Sequence, residues 1–196
     1  MAGMYQTVLL VDLSESPSED FVKAFRNSDC RVLGCQRRLI DIERQLKKES
    51  VVDLVAIYAK NPSLELFAAV AKIIKEHALP LILFVESSTK QLTIEAANIG
   101  IAAYIVDGFV PSRVKYIIDL ALARWQDVQN TRSELEKTRS TLAERKIIEK
   151  AKGILMKRRT IDEQSAYQMM RKMAMDKNQK LAAVAENIIH ADTLFN

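Results

Sequence analysis

Short apolar runs alternate with amphipathic stretches through the first 110 residues. Residues 7–11, 30–34, 54–58, 81–85 and 102–106 are compact apolar runs, as expected of parallel strands buried on both faces. Between them, residues 39–48, 64–77 and 92–99 carry helical spacing. Ser16, Pro17, Ser18 and Glu19 have capping-box spacing with proline at the first helical position, which predicts a helix running to about Ser28. Pro80 leads into the fourth strand and Pro111 opens the last helix of the region. Five strands and five helices in strict alternation predict an α/β fold with a doubly wound parallel sheet. The flavodoxin-like strand order 2-1-3-4-5 is expected, with short connections between the elements.

The pattern then changes to one long helix. Residues 114–157 contain no proline and a single glycine, Gly153. A helix of that length extends roughly 60 Å at about 1.5 Å per residue. Val128, Leu135 and Leu142 recur every seven residues, with Thr131, Thr138 and Arg145 in the companion positions. An apolar position paired with a polar one predicts a weak coiled coil and a dimer seam. A single exposed helix is the other reading the pattern leaves open.

Two short helices complete the chain. Thr160, Ile161, Asp162 and Glu163 have capping-box form, which predicts a helix beginning at about Ile161. Ala166, Met169, Met170 and Met173 make its apolar face, with Arg171 and Lys172 beside it. Residues 178–189 form a second helix that presents Leu181, Val184, Ala185 and Ile188. These stripes predict the core of a small three-helix bundle, which methionine is well suited to fill.

Charge separates this end from the rest. The chain carries a net charge of +4, but residues 145–180 hold eleven Lys/Arg against four Asp/Glu. Cationic charge gathered on a small helical unit is the footprint of a polyanion partner, most often a nucleic acid. Otherwise, at 48% hydrophobic and 28% charged residues, the composition is ordinary for a globular protein. No apolar stretch approaches the roughly 20 residues of a membrane span, and the N-terminus lacks signal-peptide features, so a cytoplasmic protein is expected. Cys30 and Cys35 lie five apart around one predicted strand, an odd spacing that places them on opposite faces, and neither a disulfide nor a metal pair is expected. With only His77 and His190 to add, no zinc set can be assembled, and no metal or cofactor is expected.

Three segments carry a family resemblance: ERKIIEKAKGILMKRR, DEQSAYQMMRKMAM and KLAAVAENII. They resemble the ANTAR domain, an RNA-binding antitermination module. AAYIVDG, LALARW and LAERK upstream resemble its nitrate-assimilation branch, the NasT-like regulators. The resemblance implies a receiver-like domain over 1–123, a coiled-coil linker over 124–144 and a C-terminal three-helix ANTAR domain over 145–196. It implies binding to paired hairpins in a leader transcript, so that a downstream terminator does not form. It also implies a nitrate/nitrite sensor protein that sequesters the regulator, and a homodimer in the RNA-bound state. Basic helices suit such a target, since hairpin loops expose unstacked bases and flanking phosphates. The expected RNA-binding residues are Arg145, Lys146, Lys150 and Lys152, followed by Lys157, Arg158, Arg171, Lys172 and Lys180. Ala151 and Tyr167 are expected against bases, although Tyr167 lies one position from the apolar face and a core role is equally open.

A sheet of this order with an acidic end to strand one also resembles a response-regulator receiver, but its chemistry is missing. The phosphoacceptor position at the end of strand three holds Tyr58, which cannot form an acyl phosphate. Asp12 is followed by Leu13, so the acid pair that holds Mg²⁺ is incomplete. Val85 stands where a Ser/Thr is required, and Asp107-Gly108 where Lys-Pro is required. A pseudoreceiver without a phosphoacceptor is expected, with Asp12 acting as a loop residue or helix cap. There is no Gly-rich phosphate loop or nucleophile elbow, so no enzyme is expected. A protein-binding adaptor that uses the same basic face is the alternative function.

Overall fold

The computed structural model describes residues 6–15, 19–48 and 51–194. The elements run β1 (Gln6–Asp12), α1 (Glu19–Arg26), β2 (Cys30–Gln36), α2 (Leu39–Lys48), β3 (Leu54–Ala59), α3 (Leu64–His77), β4 (Leu81–Val85), α4 (Lys90–Asn98) and β5 (Ala103–Ile105). A 3-10 turn (Pro111–Arg113) leads into α5 (Val114–Arg159), α6 (Glu163–Asp176) and α7 (Leu181–Leu194). The chain divides into two compact units, 1–128 and 129–196.

All five strands are parallel, in the order β2-β1-β3-β4-β5 that the alternation predicts. Every residue of β3 and β4 is buried, because helices cover both faces of the sheet. Successive side chains point to opposite faces. Leu10, Ala56 and Phe84 pack with Phe21 and Phe25 of α1 and with Val114 and Ile118 of α5. Leu9, Ile57 and Leu83 pack with Ile42 of α2 and with Phe67 and Val70 of α3. The start of α3 is fixed by Ser63, whose side chain accepts a hydrogen bond from the Leu66 amide. The capping residues predicted for α1, Ser16, Pro17 and Ser18, lie outside the described residues.

The cysteines depart from expectation. Cys30 and Cys35 both pack on the same side of the sheet, with Val32. The cause is a register shift between β1 and β2, where Val8 pairs with Val32 but Leu9 pairs with Gly34. The extra residue reverses the alternation, as a β-bulge does. Both thiols are free, and burial pushes the Cys30 pKa up to about 11.

The second unit is a three-helix bundle centred on Ala151, Met170 and Ala185, one residue from each helix. Ile148, Leu155, Leu181 and Ile188 pack around them. Its second helix begins two residues later than the capping box suggests. Thr160 adopts a left-handed backbone, φ 54°, just past the end of α5. Asp162 caps α6 instead, accepting from the Ser165 amide at 2.7 Å. Hydrogen bonds from the Ser165 side chain, and then from its amide, lower the Asp162 pKa. The third helix also starts later, at Leu181, since Asn178 is left-handed at φ 50°.

Candidate nucleic-acid interface

An α-helix returns to one face every three or four residues. Lys146, Lys150, Gly153 and Lys157 therefore form one line along α5, and all four are exposed. The opposite side of the helix carries Ala151 into the bundle core, fully buried. The packing of the bundle thus turns this cationic line outward.

Two of the expected RNA contacts lie elsewhere. Ala151 is the hub of the core. Lys152 is only 8% exposed, and its ammonium donates to Glu149 at 2.7 Å and to Glu163 at 2.6 Å. These two carboxylates raise the Lys152 pKa, Glu149 having the larger effect. Lys152 therefore ties α5 to the first turn of α6. Its spacing of two from Lys150 already places it on another face.

The remaining candidates are distributed around the bundle. Arg158 is half-exposed, and its guanidinium pairs with Asp192 of α7 at 2.7 Å. Tyr167 and Arg171, four apart, share one flank of α6, with Tyr167 43% exposed. Lys172 is exposed on another side of α6, Arg145 on a different line of α5, and Lys180 just ahead of α7. The sequence reading did not single out Gly153, which lies within the cationic line, or Asp192, which pairs with the neighbouring Arg158. Gly153 left a trace in the sequence, being the only glycine in a helix of 46 residues.

The heptad positions stand free of the bundle core. Val128 is 61% exposed, Leu135 49% and Leu142 54%.

In the first unit, the receiver positions form a closed set of contacts. Asp12 is fully buried at the end of β1, and its Oδ1 accepts from the Ser14 amide at 2.9 Å and from the Ser14 hydroxyl. It is the last residue of β1 and caps the turn that follows, where the sequence reading expected a loop residue or a helix cap. Tyr58 pairs with Asp12 across the sheet and packs against Phe21 and Phe109, with ring centroids 5.8 and 5.7 Å away. Its hydroxyl donates to Glu86 at 2.5 Å. Burial, and then this carboxylate, push its pKa up to about 12. Val85 is fully buried, and its carbonyl accepts from the Gly108 amide at 2.8 Å. Asp107 is exposed in a left-handed turn. A cleft of about 750 Å³ opens beside Tyr58, bordered by Ser14, Lys60, Asn61 and Glu86. Among the described residues, the phosphoacceptor position on this border holds Tyr58, and the residue after Asp12 is Leu13 where a receiver carries a second acid.

The chain joins a receiver-form sheet to a small basic helical domain. Residues 136–189 match the family model of the ANTAR domain, and the chain carries that domain at its C-terminal end. It is 28% identical over 137 residues to the transcriptional regulatory protein PdtaR of Mycobacterium tuberculosis, a match covering 70% of this chain and 67% of that protein. It is 36% identical over 81 residues to the nitrate regulatory protein of Klebsiella oxytoca, covering 41% of this chain but 20% of that protein. The first unit has the fold of a CheY-like receiver domain protein from Methanospirillum hungatei, with TM-score 0.54, 16% identity, and coverage of 63% of this chain and 98% of that one. Among the described residues, no helix is long and apolar enough to cross a membrane.

Proposed function

We propose that this chain is an RNA-binding transcription antiterminator. The observation that carries the reading is the outward line of Lys146, Lys150 and Lys157 on the helix that opens a matched ANTAR domain. The line binds the phosphates of leader-transcript hairpins, and the protein bound there keeps a downstream terminator from forming. Arg145, Arg158, Arg171, Lys172 and Lys180 extend the contact around the bundle, and Tyr167 stacks on a loop base. Ala151 and Lys152 act from behind this surface, the first as core and the second as a clamp.

The functional division is a pseudoreceiver over 1–123, a pairing helix over 124–144 and an RNA-binding domain over 145–196. Two copies pair through Val128, Leu135 and Leu142 when two hairpins are engaged. Likeness to a nitrate regulatory protein supports nitrate or nitrite assimilation genes as targets. Control comes from a sensor protein that sequesters the regulator in the cytoplasm, because Tyr58 and Asp107 leave no phosphorylation switch.

Sequencing RNA crosslinked to the protein in its native cell tests the reading. The expected recovery is leader RNA with two adjacent hairpins ahead of a terminator. Recovery of no RNA, together with capture of an acidic protein through the same face, would replace it with the adaptor reading.

A further inference from the structure

Two hollows adjoin on the α5–α7 side of the bundle. One, of about 650 Å³, lies over Lys150, Gly153 and Lys157. The other, of about 340 Å³, is floored by Leu155, Met169, Met173 and Ile188. They share Ile154 and the Arg158–Asp192 ion pair. One side therefore presents two ammonium groups about a bare stretch of backbone, and the other presents thioether and aliphatic surface.

Gly153 gives an independent indication. It lies within α5, where glycine is the poorest residue after proline. Its backbone is not in the left-handed region, and a Cβ added there would meet nothing within 4 Å. Neither turn geometry nor packing within the chain calls for a glycine. What it provides is a low point between Lys150 and Lys157, open to close approach from outside.

Building on the RNA reading, we propose that these hollows hold one unstacked loop nucleotide. Its phosphate rests over Gly153 between Lys150 and Lys157. Its base enters the apolar hollow, where polarizable methionine sulfur suits a flat π face. The Arg158–Asp192 pair stands at the junction, with the Asp192 carboxylate able to accept from a base amino group. The element thus takes a base with its own phosphate, in an order that a uniformly basic surface would not impose.

The test uses the full chain and a pool of RNA stem-loops with a fixed stem and a randomised loop, from which the tightest binder is taken. Gly153→Gln keeps the helix and fills the low point, and it should weaken that binder by about tenfold or more while thermal unfolding is unchanged or shifted upward. An abasic replacement at one loop position should weaken binding to the unaltered protein by a similar factor. The same replacement should have no further effect on Met173→Gln, because the base and that side chain share one contact. Undiminished binding by Gly153→Gln, or abasic losses equal in Met173→Gln and the unaltered protein, would overturn the proposal while leaving RNA binding intact. If the unaltered protein binds no stem-loop from the pool, the RNA reading itself falls, and this inference with it.

Discussion

Leu142 and Ala151 sit nine residues apart on one unbroken helix and face opposite ways. Leu142 is 54% exposed and Ala151 is fully buried. Nine residues are about two and a half turns, so the seam and the bundle core occupy opposite sides of α5. Gly153, eleven residues from Leu142, returns to the seam side after about three turns. The apolar seam therefore runs directly into the cationic line. In a parallel pair, contact through Leu135 and Leu142 would leave the bundle core untouched and bring like charges of two copies together beyond Leu142.

Dimerisation without RNA should consequently strengthen with salt, because screening weakens the repulsion among Lys146, Lys150 and Lys157. Sedimentation equilibrium across a salt series measures this. Pairing that weakens as salt rises would mean that opposite charges, and not the apolar seam, hold the copies together.

Leu135→Glu combined with Leu142→Glu should leave thermal unfolding nearly unchanged, since both side chains are exposed. The same variant should lose the avidity for a two-hairpin RNA, on the order of 10²-fold, and little of the affinity for one hairpin. Titrating both RNAs by fluorescence anisotropy separates the two effects. Equal losses on both would reduce α5 to a tether.

Lys150 and Lys152 should respond differently to charge reversal. Lys150→Glu alters an exposed residue and should weaken RNA binding with the fold retained. Lys152→Glu would place a third carboxylate against Glu149 and Glu163, and should lower the unfolding temperature before RNA is added. Circular dichroism melts of the two variants decide the matter. A Lys152→Glu melt as high as that of the unaltered protein would remove the clamp role.

Tyr58 gives the first unit a pH dependence at the alkaline end. Its phenol is held neutral, with a pKa raised from 10.0 to about 12. The fold therefore binds the proton more tightly than the unfolded chain does, and this stabilisation is complete below pH 10. It declines as pH rises from 10 to 12. Tyr58→Phe should flatten that decline and, by removing the bond to Glu86, cost about 1 kcal/mol at neutral pH. Denaturant midpoints across this pH range check both statements, and a variant profile parallel to the original would assign the decline to other groups.

No phosphoryl transfer from acetyl phosphate to the first unit is expected. Restoring a carboxylate by Tyr58→Asp should not create a phosphoacceptor. The new charge would lie beside Asp12 and Glu86 and between Phe21 and Phe109, with a stability cost of about 2–5 kcal/mol. Intact-mass measurement after incubation would show any adduct, and a base-labile gain on an aspartate would contradict this account.

The strands were legible because β3 and β4 are apolar throughout, a pattern that only a doubly covered sheet tolerates. The three helices of the bundle were legible from their spacing, with Met170 and Ala185 in the core as expected. What escaped the sequence depends on local backbone geometry. The bulge that turns Cys35 toward Cys30's face is marked in CRVLGCQ only by Gly34, a weak signal that the sequence reading took as the end of the strand. Thr160 resembles a cap because a threonine three residues before a glutamate usually is one, yet here it closes the preceding helix in a left-handed turn. Lys152 could not be separated from its neighbours by charge alone, since its pairing partner Glu163 arrives from another helix.

The central claim is that the outward line on α5 meets RNA phosphates. Its most direct test is the salt dependence of binding to a two-hairpin leader RNA, compared between the unaltered protein and Lys150→Ala/Lys157→Ala. The account predicts tight binding that a scrambled RNA of equal length does not reproduce, and a log–log salt slope that falls in the double variant by about 0.7–0.9 per lost phosphate contact. An unchanged slope and affinity in the double variant, or equal binding to the scrambled RNA, would contradict it.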